Sequence, residues 1–249
     1  MHWLGYARRP MQATLFEFRN RWWIFFALFS VAFFLYAFDH VNFGIALTDW
    51  VAKLRGVTAT DNSYRITFGC GAVLLALAAL IRTWGTSYLQ ADVMRDISVH
   101  TEKLVSDGPY RYVRNPLYLG NILMAAGVGV RASRVGFVVL FVGMIIFVLR
   151  LLLREEAELL RDQGESYRRY YEAVPRLLPS ITPRVPAAGH APNWGSAFRV
   201  ELMYWLELVA VTAFAVTLKI VVFWVLFAVA MSSSFLLKRP GETKPCGAS

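Results

Sequence analysis

The sequence has little charge and little cysteine, and each shortage excludes a class of protein. Only 17% of its 249 residues are charged, whereas 57% are hydrophobic and the mean hydropathy is +0.44. This composition excludes an ordinary soluble domain and indicates an integral membrane protein. The two cysteines, Cys70 and Cys246, make no disulfide framework, because one lies in an apolar stretch and the other in a polar tail.

Metal ligands and nucleic-acid motifs are also lacking. The four histidines do not have the spacing of metal ligands, so we expect no metal site. The net charge of +9 is not concentrated in a DNA- or RNA-binding motif, so we expect no nucleic-acid partner. A membrane protein with lysine and arginine at the ends of its spans accounts for the excess of positive charge. A soluble Rossmann domain is not expected, because Gly69-Cys-Gly71 lacks the glycine-rich pattern.

Six apolar stretches predict an all-α polytopic membrane protein with about six transmembrane helices. These stretches are residues 22–38, 66–81, 116–130, 135–149, 202–218 and 220–237. Only Glu207 interrupts one of them with a charge. The third and fourth stretches are short and close together, so we expect them to form a tight helical hairpin.

The distribution of positive charge predicts the orientation. With six spans, 20 of the 26 lysines and arginines fall on the side that carries both termini and the segments 82–115 and 150–201. By the positive-inside rule, this side faces the cytoplasm. Both polar segments that flank the hairpin are then cytoplasmic, and a soluble cofactor could reach a pocket there.

These two segments carry the distinctive residues. The first, GPYRYVRNPLYLGN at 108–121, places prolines, tyrosines and arginines at the start of an apolar stretch. The second, LREEAELLRDQGESYRRYYEAVPRLLP at 153–179, continues a span as a charged helix. Gly164 is expected to end that helix, and Pro175 to end the tyrosine-rich stretch that follows. Taken alone, the second segment is also typical of a juxtamembrane helix with interfacial tyrosines.

Together, the two segments resemble the isoprenylcysteine carboxyl methyltransferase family, whose relatives include the phospholipid N-methyltransferases. The first motif reads Leu104-Val105, Gly108-Pro109-Tyr110 and Arg114-Asn115-Pro116-Leu117-Tyr118-Leu119-Gly120. The second reads Glu155-Glu156-Ala-Glu-Leu159, Gly164-Glu165-Ser-Tyr167-Arg-Arg-Tyr170, Val174-Pro175 and Leu178-Pro179. The resemblance covers roughly residues 82–179 and leaves out the first span and the final hairpin.

The resemblance implies a methyltransferase that uses S-adenosyl-L-methionine at the membrane surface and acts on a lipophilic or lipidated acceptor, or on a membrane lipid. Tyrosine rings and hydroxyls suit the adenine-containing cofactor, and Glu155 could pair with its ammonium group or a ribose hydroxyl. The implied cofactor-binding residues are Glu102, Lys103, Leu104, Val105, Tyr110, Asn115, Pro116, Leu117, Tyr118 and Glu155.

Two positions depart from the family pattern. Asn115 stands where the family usually has histidine, so a protonating role is lost there, although an amide still offers a donor and an acceptor. Leu151 stands where carboxyl-methylating members have a substrate arginine. Arg150 and Arg154 flank it one turn apart, and we expect one of them, preferentially Arg154, to orient a carboxylate acceptor.

The sequence therefore leads to three functional hypotheses. The first is O-methylation of a lipophilic, isoprenylcysteine-like carboxylate. The second is N-methylation of an aminophospholipid or S-methylation of a small thiol on the same scaffold. The third is a non-catalytic membrane protein that retains the fold. The expected organisation is an N-terminal transmembrane region at 1–81, a methyltransferase core at 82–185, and a C-terminal transmembrane hairpin and tail at 186–249.

Overall fold

The all-α prediction is confirmed by a computed structural model, which describes residues 11–95 and 106–237. Within these ranges the chain forms helices and no strand, and an isolated antiparallel bridge joins Asn42 to Ser133. The α-helices are α1 (Leu15–Arg19), α2 (Arg21–Phe34), α3 (Phe43–Leu54), α4 (Asp61–Arg95), α5 (Pro116–Gly129), α6 (Arg134–Gln163), α7 (Glu165–Ala173), α8 (Trp194–Val200), α9 (Leu202–Thr217) and α10 (Ile220–Leu237).

Each predicted span coincides with a helix, but the helices differ in length. In the described residues, Asp61–Leu89 of α4 and the whole of α6 are long and apolar enough to cross a bilayer. A third candidate span results if α8 and α9, which meet at a bend of 61°, are counted as one. The shorter apolar helices are Arg21–Ala37, Pro116–Gly129 and Ile220–Val229. The chain is thus an integral membrane protein, and the number of six spans stays a prediction.

The predicted hairpin is present. Helix α5 ends at Gly129, and α6 begins at Arg134 after a short connection. The side chain of Ser133 accepts a hydrogen bond from the Gly136 N–H at 3.0 Å and so caps the start of α6. The hairpin is central to the fold, because α5 packs against α4 on one side and α6 on the other.

Helix α4 is longer than the sequence indicated. The uncharged stretch stops at Ile81, and residues from Arg82 onward were expected to form a loop. The helix instead continues to Arg95, because the charge of Arg82 is neutralised inside the protein by Glu201. Helix α3 was not anticipated, since Asp49 and Lys53 interrupt its apolar pattern.

The end of α6 is as expected. The helix runs without a break from the apolar stretch into the charged segment and stops at Gly164, whose φ is +57°. Helix α7 then carries the tyrosines, with Tyr167 and Tyr170 buried. The chain after α7 leaves helical structure at Val174, directly before Pro175.

Two apolar clusters hold the helices together, and α5 contributes to both. Leu75, Ala78 and Val211 belong to the first cluster, between α4, α5 and α9. Leu140 and Met144 belong to the second, between α2, α5 and α6. The start of α5, which carries the first motif, is therefore fixed from both sides. We call the end of the bundle where α5 begins the site end, and the end with the α5–α6 connection the far end.

Candidate active site

The first motif forms a tight turn in front of α5. Residues Gly108–Arg111 make one 3₁₀ turn, and Gly108 has a φ of +55°, a conformation that favours glycine. A β-carbon at this position would collide with the ring of Tyr88 on α4. Tyr110 is buried, and its carbonyl accepts a hydrogen bond from the Tyr170 hydroxyl at 2.8 Å. The turn thus joins α4 to α7, and the cofactor role of Tyr110 stays a prediction.

The chain after α7 crosses this turn from the other side. We call residues 174–193 the strap. Backbone hydrogen bonds run from Ser180 N to Tyr112 O (3.0 Å), from Arg184 N to Arg111 O (2.8 Å) and from Asn193 N to Ser87 O (2.8 Å). The strap is therefore attached to the first motif along much of its length.

Asp107 fastens the strap by its side chain. The backbone N–H groups of Ala188, Gly189 and His190 donate to its carboxylate at 2.8, 3.3 and 2.9 Å. The His190 ring nitrogen Nδ1 also lies 2.6 Å from Oδ2. Burial alone would raise the pKa of Asp107, but these hydrogen bonds stabilise the carboxylate and hold its pKa below the ordinary value.

Asn115 and Pro116 form the entrance to α5. The Asn115 side-chain amide donates to the Arg176 carbonyl at 3.2 Å and lies 3.5 Å from a Glu156 oxygen. Pro116 is the first residue of α5 and is buried, a position where its missing N–H has no cost. Leu117 is half-buried, and its carbonyl accepts a hydrogen bond from Arg82 at 3.2 Å.

Tyr118 and Glu155 bring the two motifs into contact. The Tyr118 hydroxyl donates to Oε1 of Glu155 at 2.7 Å, although the two residues are 37 positions apart. Both side chains are half-buried, so the pair is partly accessible rather than sealed in the core. The structure thus brings together two of the predicted cofactor residues.

Glu156, next to Glu155, has a different environment. Its residue is only 3% exposed, and its carboxylate lies 3.3 Å from Arg114 Nη2 and 2.8 Å from Arg176 Nη2. These partners connect α6 to the first motif and to the strap. Because Glu156 is enclosed by cations and its neighbour is not, Glu155 is the glutamate of this pair that a ligand can reach.

Arg114 has donors that the described residues do not satisfy. Its guanidinium stacks on the ring of Tyr171 at 3.9 Å from the centroid, and its side chain is 6% exposed. Among the residues that the structure describes, Nε and Nη1 have no hydrogen-bond partner. Buried donors of this kind require an acceptor, which a bound ligand can supply. Sequence reasoning missed Arg114 as a site residue, although it lies inside the quoted first motif.

The structure places Arg150 and Arg154 against the start of the chain. Arg150 Nη2 lies 2.8 Å from the Glu17 carboxylate, and Arg154 donates to the Ala13 carbonyl at 3.2 Å. Arg154 also pairs with Glu158 at 2.8 Å. Both guanidinium groups therefore have acceptors within the chain, and their predicted catalytic role stays untested.

The remaining predicted positions contribute differently. Leu151, at the family's arginine position, is fully buried in the cluster of α2, α5 and α6. The predicted cofactor residues Glu102, Lys103, Leu104 and Val105 lie outside the described residues. A groove of about 740 Å³ between α4 and α9 is lined by Gly69, Leu208 and other residues that belong to neither motif. We therefore do not regard it as the candidate site.

Comparison with known proteins gives a family match over part of the chain. The family model for phospholipid methyltransferase matches residues 66–163, which run from α4 to the end of α6 and include the first motif, the hairpin and Glu155. No curated protein and no solved structure matches the chain. The resemblance seen in the two motifs is thereby confirmed, and over residues 66–163 the chain is similar to the phospholipid methyltransferases.

Proposed function

We propose that the protein is an S-adenosylmethionine-dependent methyltransferase whose acceptor is a membrane lipid. The observation that carries the proposal is the hydrogen bond between Tyr118 and Glu155. It joins the two motifs at a half-buried position within the segment that the phospholipid methyltransferase model matches. A non-catalytic protein with the same fold would not require the partly accessible carboxylate of Glu155 at this position.

The residues around this pair suit the proposed cofactor. Nε and Nη1 of Arg114, which have no partner among the residues that the structure describes, are donors for the cofactor's carboxylate, and Glu155 is an acceptor for its ammonium group or a ribose hydroxyl. Tyr118 offers an aromatic face, and Leu117 an apolar wall. Glu102, Lys103, Leu104 and Val105, together with Tyr110, Asn115 and Pro116, complete the proposed set.

When bound, S-adenosylmethionine supplies an electrophilic methyl group, so the chain itself does little acid–base chemistry. Its task is to hold the acceptor's lone pair in line with that methyl group and to keep water away. Glu155 would bind the ammonium group of the cofactor and Arg114 its carboxylate, so that the cofactor is held in one orientation. The strap, which crosses the first motif, closes the site end from the aqueous side.

We favour an amine over a carboxylate as the acceptor. A carboxylate needs a cation that is available to hold it, and both predicted arginines already have acceptors within the described residues, Arg150 in Glu17 and Arg154 in Glu158 and the Ala13 carbonyl. Of Arg154, Nε alone has no partner there. The family that matches the chain is named for phospholipids. An aminophospholipid therefore fits the arrangement best.

O-methylation of a lipophilic carboxylate is the second candidate. Its support is that Arg150 already binds a carboxylate, that of Glu17, at 2.8 Å. An acceptor carboxylate could take the place of Glu17 if α1 moves. Under this reading, turnover of a carboxylate acceptor should fall strongly in an Arg150→Leu/Arg154→Leu double variant, while S-adenosylhomocysteine affinity stays within a few-fold of wild type.

The membrane orientation follows from the same proposal. We place the site end at the cytoplasmic face, because the positively charged segments flank it and the cofactor is soluble. Cysteine labelling in a Cys70→Ser/Cys246→Ser background tests this. A cysteine at His40, which is exposed at the far end, should react only from the opposite side, and its labelling from the cytoplasm alone would overturn the orientation.

The proposed function is tested by binding and by methyl transfer. Purified protein in nanodiscs should bind S-adenosylhomocysteine in calorimetry. Glu155→Ala should weaken that binding about ten- to a hundredfold, the equivalent of roughly 1.5–3 kcal/mol for a charge-assisted hydrogen bond. Glu165→Ala, which removes an exposed carboxylate from α7, is the matched control and should leave binding unchanged.

A panel of labelled-methyl acceptors identifies the substrate. Aminophospholipid, prenylcysteine and small-thiol acceptors should be offered at equal concentration to the same nanodiscs. Transfer to the aminophospholipid supports the favoured reading, and transfer to prenylcysteine alone supports the second. A wild-type protein that neither binds the cofactor product nor methylates any acceptor would favour a non-catalytic role.

A further inference from the structure

A network of buried polar side chains connects the C-terminal helices to the start of α5. Its centre is Arg82 on α4, whose side chain is 8% exposed, paired with Glu201, whose side chain is 2% exposed. Glu201 lies at the bend between α8 and α9, outside the segment matched by the family model. Charged residues within membrane-spanning regions are costly and commonly functional, so this pair requires an explanation.

All three guanidinium nitrogens of Arg82 make hydrogen bonds. Its Nε and Nη2 bind both oxygens of Glu201, at 2.7 and 3.0 Å. Its remaining nitrogen, Nη1, donates to the Leu117 carbonyl at 3.2 Å and to Oδ1 of Asn121 at 2.7 Å. One planar group therefore fixes the bend before α9 on one side and the first turn of α5 on the other.

Further contacts hold this geometry. The Thr86 hydroxyl donates to Glu201 at 2.7 Å, and the Tyr204 hydroxyl donates to Asn121 at 2.7 Å. The Tyr204 ring also lies 4.4 Å below the guanidinium. A side chain at Gly120 would collide with Arg82, so α5 leaves room there for the arginine to cross.

The network lies one residue from the proposed site. Leu117, whose carbonyl Arg82 holds, directly precedes Tyr118, and Tyr118 donates to Glu155. A shift of the first turn of α5 would move the Tyr118 hydroxyl away from Glu155 and the backbone away from the cofactor. Within the described residues, the hydrogen bonds of this network reach the Leu117 carbonyl, and none of them reaches the side chain of Tyr118 or Glu155. Its contact with this pair therefore runs through the backbone of α5.

We infer that Glu201 is a positioning residue: through Arg82 it fixes the first turn of α5 and thereby the Tyr118–Glu155 pair that binds the cofactor. This gives the C-terminal helices a part in the reaction although the family model does not reach them. The expected effect of Glu201 on catalysis rests on the proposed function. Its expected effect on the position of α5 does not.

Glu201→Gln tests the inference because it keeps the shape and removes the charge. Its amide NH₂ would face the Arg82 N–H groups, donor against donor, so Arg82 should release Leu117. Since small displacements of reacting groups can lower rates by up to about a hundredfold, we expect turnover to fall roughly ten- to a hundredfold. S-adenosylhomocysteine should bind several-fold more weakly, and Glu201→Asp should restore part of the loss.

Glu207→Gln is the matched control. It removes a partly buried carboxylate six residues further along the chain, in α9, where Glu207 pairs with Arg131 at the far end. If the effect of Glu201→Gln is only a general loss of stability, the two variants should lose cofactor affinity in proportion to their loss of melting temperature. If Glu201 positions α5, affinity falls for Glu201→Gln alone, and equal affinity in both variants would overturn the inference.

Hydrogen exchange without cofactor separates this inference from the proposed function. Amides of residues 117–121 should exchange faster in Glu201→Gln than in wild type or Glu207→Gln. If wild type binds no S-adenosylhomocysteine, the proposed function fails while this measurement still decides the inference. If Glu201→Gln does not fold, Arg82→Lys replaces it, because a lysine keeps the charge but cannot bind Glu201, Leu117 and Asn121 together. Unchanged exchange in a folded variant would refute the positioning role.

Discussion

The two ends of the bundle each hold a buried arginine against a glutamate, Glu201 directly before α9 and Glu207 within it, but the two pairs are built differently. At the site end, Arg82 binds both oxygens of Glu201 and also reaches α5. At the far end, Arg131 touches Glu207 through one contact of 2.7 Å and lies over the Phe223 ring at 3.9 Å. Within the described residues, Arg131 Nε and Glu207 Oε2 have no hydrogen-bond partner.

The two pairs differ in how far they determine the arrangement of the helices they join. A bidentate pair with additional acceptors fixes both the distance and the orientation of the helices it joins. The pair of Arg131 and Glu207 links α9 to the α5–α6 connection through a single oxygen and so fixes less of their relative orientation. Of these two pairs, the one with the more defined geometry lies at the end that carries the two motifs.

The largest effect is expected for Arg82→Leu. This substitution leaves the Glu201 carboxylate buried without a cation, which typically costs about 3–5 kcal/mol of stability. The double variant Arg82→Leu/Glu201→Leu should recover most of that free energy of unfolding but not the affinity for S-adenosylhomocysteine. Denaturant unfolding in detergent and calorimetry check the two parts. Wild-type affinity in the double variant would show that the Arg82–Glu201 pair does not position the site.

A smaller effect is expected for Arg131→Leu. Glu207 has a side-chain exposure of 12%, and the substitution removes one charge-assisted hydrogen bond, so we expect a loss of about 1–3 kcal/mol. Cofactor affinity should not change, because the contact is at the far end. The same unfolding and binding measurements apply, and weaker binding here would show that the far end also influences the site.

The aspartates in the loops at the two ends should differ in how their stabilising effect depends on pH. The pKa of Asp107 is lowered, so its contribution to stability is complete above the ordinary aspartate pKa of about 3.9 and is lost as pH falls through the lowered value. Asp107→Asn should therefore release the strap already at pH 7, whereas wild type should keep it bound until the pH is below about 4. Limited proteolysis at Arg184, within the strap, measures the release, and equal cleavage of both proteins at pH 7 would contradict the role of Asp107.

The smallest effect is expected for Asp39 at the far end. Hydrogen bonds from Arg134 and from the Val135 N–H lower the pKa of Asp39 to about 2. Its stabilising effect is present above the ordinary aspartate pKa and is lost only as pH falls toward about 2. Because Arg134 is 58% exposed, solvent screens the pair and Asp39→Asn should hardly change the melting temperature at pH 7. If Asp39→Asn lowered the melting temperature as much as Asp107→Asn, the two aspartates would contribute equally to stability and this prediction would be wrong.

Much of the fold could be predicted because apolar stretches reveal membrane helices directly. The helices over 22–38 and 135–149 follow from hydropathy, and the stop at Gly164 follows from local backbone preference. The meeting of Tyr118 with Glu155 was accessible only through resemblance to known motifs. Helix α3 was missed because polar residues interrupt it, and no pattern compensates.

The buried ion pairs were beyond sequence reasoning for a physical reason. Arg82 sits at the end of an apolar run, where an arginine normally marks the membrane boundary, so the sequence placed a loop there. Only tertiary structure shows that Glu201 is its partner. The same holds for Arg150, whose partner Glu17 is 133 positions away in the chain.

The separation between Arg82 and Glu201 also has a consequence for biosynthesis. The two residues are 119 positions apart, so at typical synthesis rates Arg82 waits roughly 6–24 s for its counter-charge to be made. During that interval the nascent chain holds an unneutralised cation in a segment destined for the bilayer. A chain truncated after residue 193 should therefore be degraded faster in cells than one truncated after residue 218, and pulse–chase labelling would show it. On this expectation, synthesis of Glu201 is the step that supplies the counter-charge of Arg82.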